Sequence, residues 1–317
     1  MRFPFLRCGL ALAALALFAL AAAPSVQAQT IWIAVYGDNA IDDRINSGNP
    51  ITGERYGLTN YQAVLVSAAD ITNGILQRTT NPFSAFVYTR PGNQPGPNLG
   101  GVAAQKVRDF VGSPATGMGN VVLLNGDFAD ALQAPMLGGG LFSDPNVERL
   151  IANAVIFAAT PAGPGEARGH GFVGEYTGAI AGLTSNEETA PQRTALGFVE
   201  GNASQISFSG GNSDFAIFTT PEGASHPVMN GFPTPYNPTP GTSVSVEFGA
   251  TITDVDPTLV VARYAGDTPG DNPAIIVRSA VPVSDPTLGA IPEPGTLVLL
   301  APGLLPLLGM VGRRRKR

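Results

Sequence analysis

The sequence predicts a three-layer α/β fold, in which helices cover both faces of a parallel sheet. Several segments are continuous apolar runs that end in Gly or Pro, which is typical of strands buried on both faces. IWIAVYG at 31–37 is the first of them. Up to residue 183 such runs alternate with segments of helical spacing, and this alternation favours a parallel sheet. The later half is richer in β-branched residues at strand spacing, so we expect it to be strand-rich.

Local signals predict the individual elements. The polar, turn-rich stretch 38–60 is predicted to be a loop, and Asp70 is predicted to cap the short segment that follows it. A helix is predicted over 101–111 because its apolar residues recur near helical spacing. Asp144 and the proline after it predict the start of a helix over 146–159. Further strands are predicted within 61–68, 83–92, 120–132, 169–183, 242–252, 258–265 and 273–281.

The amino-terminal segment, residues 1–28, is predicted to be a secretory signal peptide. Arg2 and Arg7 precede a compact apolar stretch, Leu10 to Ala23. Val26-Gln27-Ala28 then provides a cleavage site of the small-x-small type. The alternative is an uncleaved anchor helix, which the short apolar stretch and the cleavage site disfavour.

The carboxy-terminal segment, residues 292–317, has three consecutive parts. Pro292, Glu293 and Pro294 come first, and Thr296–Gly312 follows with no charged residue. This stretch is at the short end of the length that spans a membrane. The chain closes on a basic tail that begins with Arg313, Arg314 and Arg315. Such an excess of positive charge holds that end in the cytoplasm.

This order resembles the PEP-CTERM sorting signal of Gram-negative bacteria. The resemblance implies that an exosortase, a membrane transpeptidase, recognises the segment and cuts near Pro-Glu-Pro. It also implies transient anchoring in the inner membrane and delivery to the outer cell surface or the exopolysaccharide matrix. The predicted organisation is therefore a signal peptide, a domain over 29–280, a stalk over 281–291 and the sorting signal.

Composition limits what the domain between these segments does. Without the predicted end segments, 11 Lys and Arg face 23 Asp and Glu, which is a net charge near −12. An acidic surface argues against nucleic acid as a partner. The only cysteine is Cys8, in the signal peptide. The exported domain is therefore predicted to have no disulfide, no thiolate metal site and no cysteine nucleophile.

Candidate site residues follow three of the predicted strands. In an open parallel sheet, sites form outside the carboxyl ends of the strands. Gly37-Asp38, Asn125-Gly126-Asp127 and Glu175-Tyr176 are expected to meet there.

Three stretches resemble the class I glutamine amidotransferase-like superfamily, and more narrowly its trehalose-utilisation-like branch. They are GHGFVGEYTGA at 169–179, SHPVMNGFP at 225–233 and LVVARYAGDTPGDNPAIIVR at 259–278. The resemblance implies a flavodoxin-like three-layer fold. In this superfamily a cysteine on a tight turn is the nucleophile, with a histidine and an acid as partners.

The chain departs from this superfamily at the nucleophile. Glu175 or Tyr176 takes the cysteine's place if the tight turn lies at 169–179. One of Asn125, Gly126 and Asp127 takes it if the turn follows the earlier strand. Neither Glu nor Tyr is a ready acyl acceptor from an amide.

Acid/base chemistry remains as one alternative. His170 and His226 are the only histidines of the chain. Glu175, His226 and Asp127 could together serve as acid/base groups of a hydrolase acting on carbohydrate. The other interpretation is that His226 caps a loop through a hydrogen bond.

A calcium site is a further alternative, because acidic residues cluster in two polar segments and calcium takes oxygen ligands. Solvated turn carboxylates are the other interpretation of these residues, Asp38, Asp42, Asp43, Asp254 and Asp256. No phosphate loop, nucleophile elbow or zinc motif is present, so no cofactor is predicted. The favoured hypothesis is a non-catalytic surface or matrix protein whose degenerate amidotransferase-like pocket serves for binding or as scaffold.

Overall fold

The structure is a computed structural model of the whole chain. It describes residues 29–37, 39–89, 101–113, 115–126, 144–163, 166–175, 202–205, 216–237, 250–265 and 272–281, with the shorter pieces 99, 128, 132, 134–135, 141–142, 198–199 and 283–284. The chain divides into two units, residues 1–30 and Ile31–Arg317, and the fold below belongs to the second. Within the described part, no helix is both long enough and apolar enough to cross a membrane. The two apolar segments that the sequence singles out, 10–23 and 296–312, lie outside it.

An eight-stranded sheet forms the centre of the molecule. Its strands are β1 (Ile31–Tyr36), β2 (Tyr61–Leu65), β3 (Phe83–Tyr88), β6 (Val121–Leu124), β10 (Gly171–Glu175), β12 (Ile217–Thr219), β14 (Val260–Tyr264) and β15 (Pro273–Arg278). They lie side by side in the order β12-β14-β15-β6-β10-β3-β1-β2. The five strands β6, β10, β3, β1 and β2 are parallel to one another. β15 pairs antiparallel with β6, and β14 and β12 continue the sheet with antiparallel pairing.

Shorter strands form four two-stranded pairs outside this sheet. They are β4 (Gly112–Ser113) with β5 (Gly117–Met118), β7 (Ala134–Pro135) with β8 (Leu141–Phe142), β9 (Glu166–Ala167) with β16 (Val283–Ser284), and β11 (Asn202–Gln205) with β13 (Ala250–Thr253).

Helices lie on both faces of the central sheet. They are α1 (Asn39–Ser47), α2 (Ala68–Thr72), α3 (Gly101–Val111) and α4 (Pro145–Ala158). Successive residues of a strand point to opposite faces, and the core is divided accordingly. Ile33 and Val35 of β1 share one core with α1 and α4, whereas Ala34 and Tyr36 share the other with α2 and α3. The predicted α/β architecture of helices on both sides of a mostly parallel sheet is thus present.

The strand order contains one crossover that the sequence did not indicate. The flavodoxin-like order is 2-1-3-4-5. Here β2, β1 and β3 take the first three places, but β10 then lies between β3 and the earlier strand β6. Val173 of β10 therefore pairs with Val87 on one side and with Val122 on the other.

Two local predictions were wrong. The stretch 38–60 was predicted as a loop, but Asn39–Ser47 is helical and buries Ala40, Ile41 and Ile45 against the sheet. Asp70 was predicted as a helix cap. Ser67 caps α2 instead, and Asp70 completes a capping box by accepting a hydrogen bond from the Ser67 backbone.

The start of α4 is as predicted. Asp144 caps it, and the Asp144 carboxylate accepts hydrogen bonds from the backbone N–H groups of Asn146 and Val147. The other carboxylate oxygen accepts one from the Tyr236 hydroxyl at 2.7 Å. This carboxylate is therefore a structural group that connects α4 to a later loop.

Candidate functional site at the carboxyl edge of the sheet

Five strands run towards the same edge of the sheet and end in polar or small residues. The residues at or just after these strand ends are Gly37, Thr89, Asn125, Glu175 and Tyr264. This is the edge at which sites form in open parallel sheets. The expectation that the loops after β1, β6 and β10 begin at one edge is therefore met.

The ends of β1 and β3 approach each other closely. Gly37 has a φ of +114°, and a Cβ built on it would lie 1.7 Å from the carbonyl oxygen of Thr89. The Thr89 N–H donates to the Tyr36 carbonyl at 2.9 Å. The strand order reverses between these two strands, which is where doubly wound sheets open a crevice. The backbone fills the described part of this junction, so that only glycine is tolerated at position 37.

Asn125 is the centre of a buried polar cluster at the end of β6. Its side-chain amide donates to the Pro273 carbonyl at 2.6 Å, and its backbone N–H donates to the Ala274 carbonyl at 2.8 Å. The Tyr264 hydroxyl donates to the Asn125 carbonyl. Asn125 has no exposed surface and Tyr264 almost none. These bonds join the antiparallel strands β14 and β15 to the end of the parallel part of the sheet.

Glu175 lies beside this cluster, at the end of β10. It pairs with Leu124 across the sheet, and none of its surface is exposed. Burial raises the pKa of Tyr264 above its ordinary value, and the negative charge of Glu175 raises that pKa further. A carboxylate in a dry interior is costly unless it is paired or hydrogen-bonded, and Glu175 is not without a partner in the structure. Glu175 is therefore enclosed in the fold rather than presented to a substrate.

His226 lies towards the opposite edge. Its ring packs edge-on against Phe157 with 5.0 Å between the ring centres. The Phe157 carbonyl accepts a hydrogen bond from the side chain of Asn120, which lies immediately before β6. Glu175 pairs with the last residue of that same strand. Four residues of strand span about 13 Å, so the structure does not bring His226 and Glu175 together.

His226 instead has a local role in the backbone. It caps the short 3-10 helix Pro227–Met229, and its Nδ1 accepts a hydrogen bond from the Val228 N–H at 3.2 Å. Burial lowers its pKa below the ordinary value for histidine. The side chain of Asn153, from the middle of α4, holds the same turn by donating to the Val228 and Asn230 carbonyls. These contacts match the interpretation in which His226 caps a loop through a hydrogen bond.

Several predicted site residues lie outside the described residues. Asp127 and Tyr176 are among them, and so is the complete sorting signal with Pro292, Glu293, Pro294, Arg313, Arg314 and Arg315. Which of the two turns replaces the superfamily's nucleophile turn therefore remains a prediction.

Of the acidic residues proposed for calcium, Asp38 lies outside the described residues, and the other four have separate local positions. Asp42 and Asp43 belong to α1 rather than to a loop. Asp256 accepts hydrogen bonds from the backbone and hydroxyl of Thr258, and these bonds lower the pKa of its carboxyl group. Asp254 adopts a φ of +59° in the turn before it. Among the described residues, no three His, Cys, Asp or Glu side chains gather as metal ligands would.

A second buried charge belongs to the packing of the helices. Glu148 of α4 forms an ion pair with Arg44 of α1, with 2.9 Å between the atoms, and accepts a hydrogen bond from Asn49 at 2.6 Å. Arg44 also donates to the Leu132 carbonyl. All these groups connect α1 and its following turn to α4, so we infer that they stabilise the fold rather than form a functional site.

Sequence reasoning did not find Tyr264 and Asn272. Both belong to the stretch 259–278 that resembles the superfamily's terminal hairpin. Tyr264 alone among the β14 residues pairs a large apolar ring with a hydroxyl that needs a buried partner. Asn272 precedes β15, and its side-chain oxygen accepts a hydrogen bond from the Ile252 N–H at 2.8 Å. A polar group on each side of the turn that connects two apolar strands was the available signal.

Comparison with known proteins yields no relative. No protein-family model matches the chain, and neither curated proteins nor solved structures contain a match.

Proposed function

We propose that the chain is an exported, non-catalytic protein of the outer cell surface or extracellular matrix of a Gram-negative bacterium. The observation that carries the non-catalytic part is the position of Glu175. Glu175 is one of the residues predicted to take the nucleophile's place, and it is wholly buried at the end of β10. His226, its proposed partner, caps a turn near the other edge.

We further propose that the fold is a variant of the flavodoxin-like, class I glutamine amidotransferase-like architecture. The placement of β2, β1 and β3 supports this, as does the hairpin of β14 and β15 beside β6. The exchange of β6 and β10 is the departure. In this proposal the polar cluster of Asn125, Glu175 and Tyr264 is the remnant of a pocket and serves as scaffold.

Export rests on the two end segments. The proposed partners are an exosortase during processing, the inner membrane through 296–312 before processing, and the exopolysaccharide matrix afterwards. The acidic composition supports a role that does not involve nucleic acid.

The sorting proposal is tested by changing its signature in the full chain, expressed in a bacterium that carries an exosortase. Replacing Pro292, Glu293 and Pro294 with Ala should leave the basic tail attached and keep the protein in the inner-membrane fraction. The matched control replaces Asp285 and Pro286 of the stalk with Ala and should be processed like wild type. Mass spectrometry of the carboxy terminus and cell fractionation give the two readouts. Equal processing of all three chains would contradict the proposal.

The rival hypothesis is a hydrolase in which Glu175, His226 and Asp127 act as acid and base. It requires a hydrolytic activity that Glu175→Gln and His226→Gln each reduce by about a hundredfold or more, as for acid/base residues. We expect no such loss in assays against extracted exopolysaccharide. Circular dichroism of each variant separates a catalytic loss from unfolding.

A further inference from the structure

A cavity of about 200 Å³ lies at the amino edge of the sheet, opposite the candidate site. It is bounded by the starts of β3 and β10, by Asn120 before β6, and by the segment that leaves α4 at 159–162. A water molecule needs only about 10–15 Å³ of such space. The cavity therefore has room for a small organic molecule.

One wall of the cavity is apolar. Phe83 and Ala158 contribute buried surface, and Pro82, Pro161 and Ala162 form the exposed rim. Asn120 faces the same space, but its side chain donates to the Phe157 carbonyl and accepts from the Ala280 N–H, each at 2.7 Å. It is therefore committed to the protein, and the wall favours a ligand with a compact apolar body.

Arg168 supplies the positive charge of the cavity. Its guanidinium donates to the Thr160 carbonyl at 2.6 Å, which fixes the side chain along the rim. Among the side chains that the structure describes, no carboxylate forms an ion pair with it. Most of the donors of the guanidinium fork thus remain available, and this fork matches the geometry of a carboxylate.

His170 completes the polar side. Its ring stacks on Phe110 with 4.3 Å between ring centres and 12° between planes, and its backbone N–H donates to the Phe110 carbonyl at 2.9 Å. Partial burial against these groups lowers the pKa of His170, although the residue keeps exposed surface, and the charge of Arg168 lowers this pKa further. The lowered pKa favours the neutral imidazole, and among the described residues His170 forms its hydrogen bond through its backbone rather than its ring.

We propose that this cavity binds a small organic monoanion, a carboxylate carried on a compact apolar group. Arg168 grips the carboxylate, His170 donates one hydrogen bond to it, and the wall of Phe83, Ala158 and Pro161 covers the apolar body. One fixed positive charge beside a neutral imidazole balances one negative charge. A dianionic phosphate would bring a second charge that no described group in the cavity offsets.

The chain has only two histidines, which makes the test direct. Histidine-selective ¹³C labelling of the full chain in mild detergent gives two ring signals in an NMR spectrum, and His170→Gln assigns them. Isobutyrate should shift the His170 signal saturably and leave that of His226 unchanged. Isobutyramide, its neutral isostere, should shift neither, and inorganic phosphate should bind more weakly than isobutyrate.

Two variants locate the contact. Arg168→Gln should weaken isobutyrate binding about tenfold or more, which is the loss expected for hydrogen bonds to a charged group. Arg108→Gln removes the same charge from α3, outside the cavity, and should bind as wild type does. Ala162→Phe fills the cavity from an exposed position, where misfolding is not expected, and should also abolish binding.

Each other result overturns the proposal. Equal shifts with isobutyrate and isobutyramide would show an apolar cavity without anion recognition. Undiminished binding by Arg168→Gln or by Ala162→Phe, with the His226 signal still native, would place the anion elsewhere. Absence of any saturable shift of His170 by isobutyrate would show that the cavity binds no such ligand.

Discussion

The two edges of the central sheet differ in how their polar groups are satisfied. At the carboxyl edge, Asn125, Glu175 and Tyr264 are buried, and the protein itself supplies their partners. At the amino edge, Arg168 and His170 border an open cavity, and hydrogen-bond donors of their side chains remain available to a ligand. In open α/β sheets the first edge is the usual place for ligands. In the described part of this molecule the polar groups at that edge are buried within the fold, whereas the cavity beside Arg168 and His170 lies at the other edge.

The largest effect is expected where the carboxyl edge is tightest. Gly37→Ala would place a Cβ 1.7 Å from the Thr89 carbonyl oxygen at a φ of +114°. The backbone must then move, at about 3 kcal/mol or more of unfolding free energy. Denaturant unfolding followed by circular dichroism measures this loss.

Gly53→Ala is the control for Gly37→Ala, because Gly53 has a φ of +70° with nothing within 4 Å of an added Cβ. It should cost only about 1–2 kcal/mol, the cost of a left-handed conformation. If the two variants lose equal stability, the junction of β1 and β3 is looser than described.

The second comparison uses the two asparagines that flank β6. Asn125→Ala leaves the Pro273 carbonyl without its donor in a dry interior, which should cost about 2–3 kcal/mol. Asn120→Ala also removes side-chain hydrogen bonds, but water from the adjoining cavity can replace them, so about 1 kcal/mol is expected. Thermal unfolding of both variants tests the order. A greater loss for Asn120→Ala would mean that the amino edge is as dry as the carboxyl edge.

The smallest effect concerns alkaline pH. Because the pKa of Tyr264 is raised in the folded state, the unfolded chain releases this proton above pH 10 while the folded chain keeps it. Stability from this group is present below pH 10 and declines as pH rises, by about 1.4 kcal/mol per pH unit. Tyr264→Phe should remove that part of the decline. If the unfolding free energies of both proteins decline equally between pH 9 and pH 11, Tyr264 ionises in the folded state as readily as in the unfolded chain.

The sequence predicted the long apolar elements and missed what depends on three-dimensional pairing. β1, β3 and β10 were recognised because their short apolar runs, bounded by Gly or Pro, are typical of buried strands. α1 was missed because its polar residues resemble a loop. Its buried face of Ala40, Ile41 and Ile45, together with hydrogen bonds between Asn46 and β2, holds it against the sheet. Tertiary packing outweighs such weak helix propensity.

The candidate site was predicted in part for the same reason. Glu175 and Asn125 were located at strand ends from local patterns, and the parallel sheet brings them to one edge. His226 was paired with Glu175 only through a family motif, and nothing local indicated that its turn packs against Phe157. The cavity beside His170 was not predicted, because it depends on where α4 ends relative to β10.

The place of β10 has a consequence for how the chain acquires its fold. Both neighbours of β10 in the sheet, β3 and β6, precede it in the sequence. During synthesis or export these two apolar strands are available to each other before the strand that separates them has emerged. Direct pairing of β3 with β6 would be a non-native arrangement, since unpaired strand edges are prone to such association. The two strands must separate before β10 can insert between them.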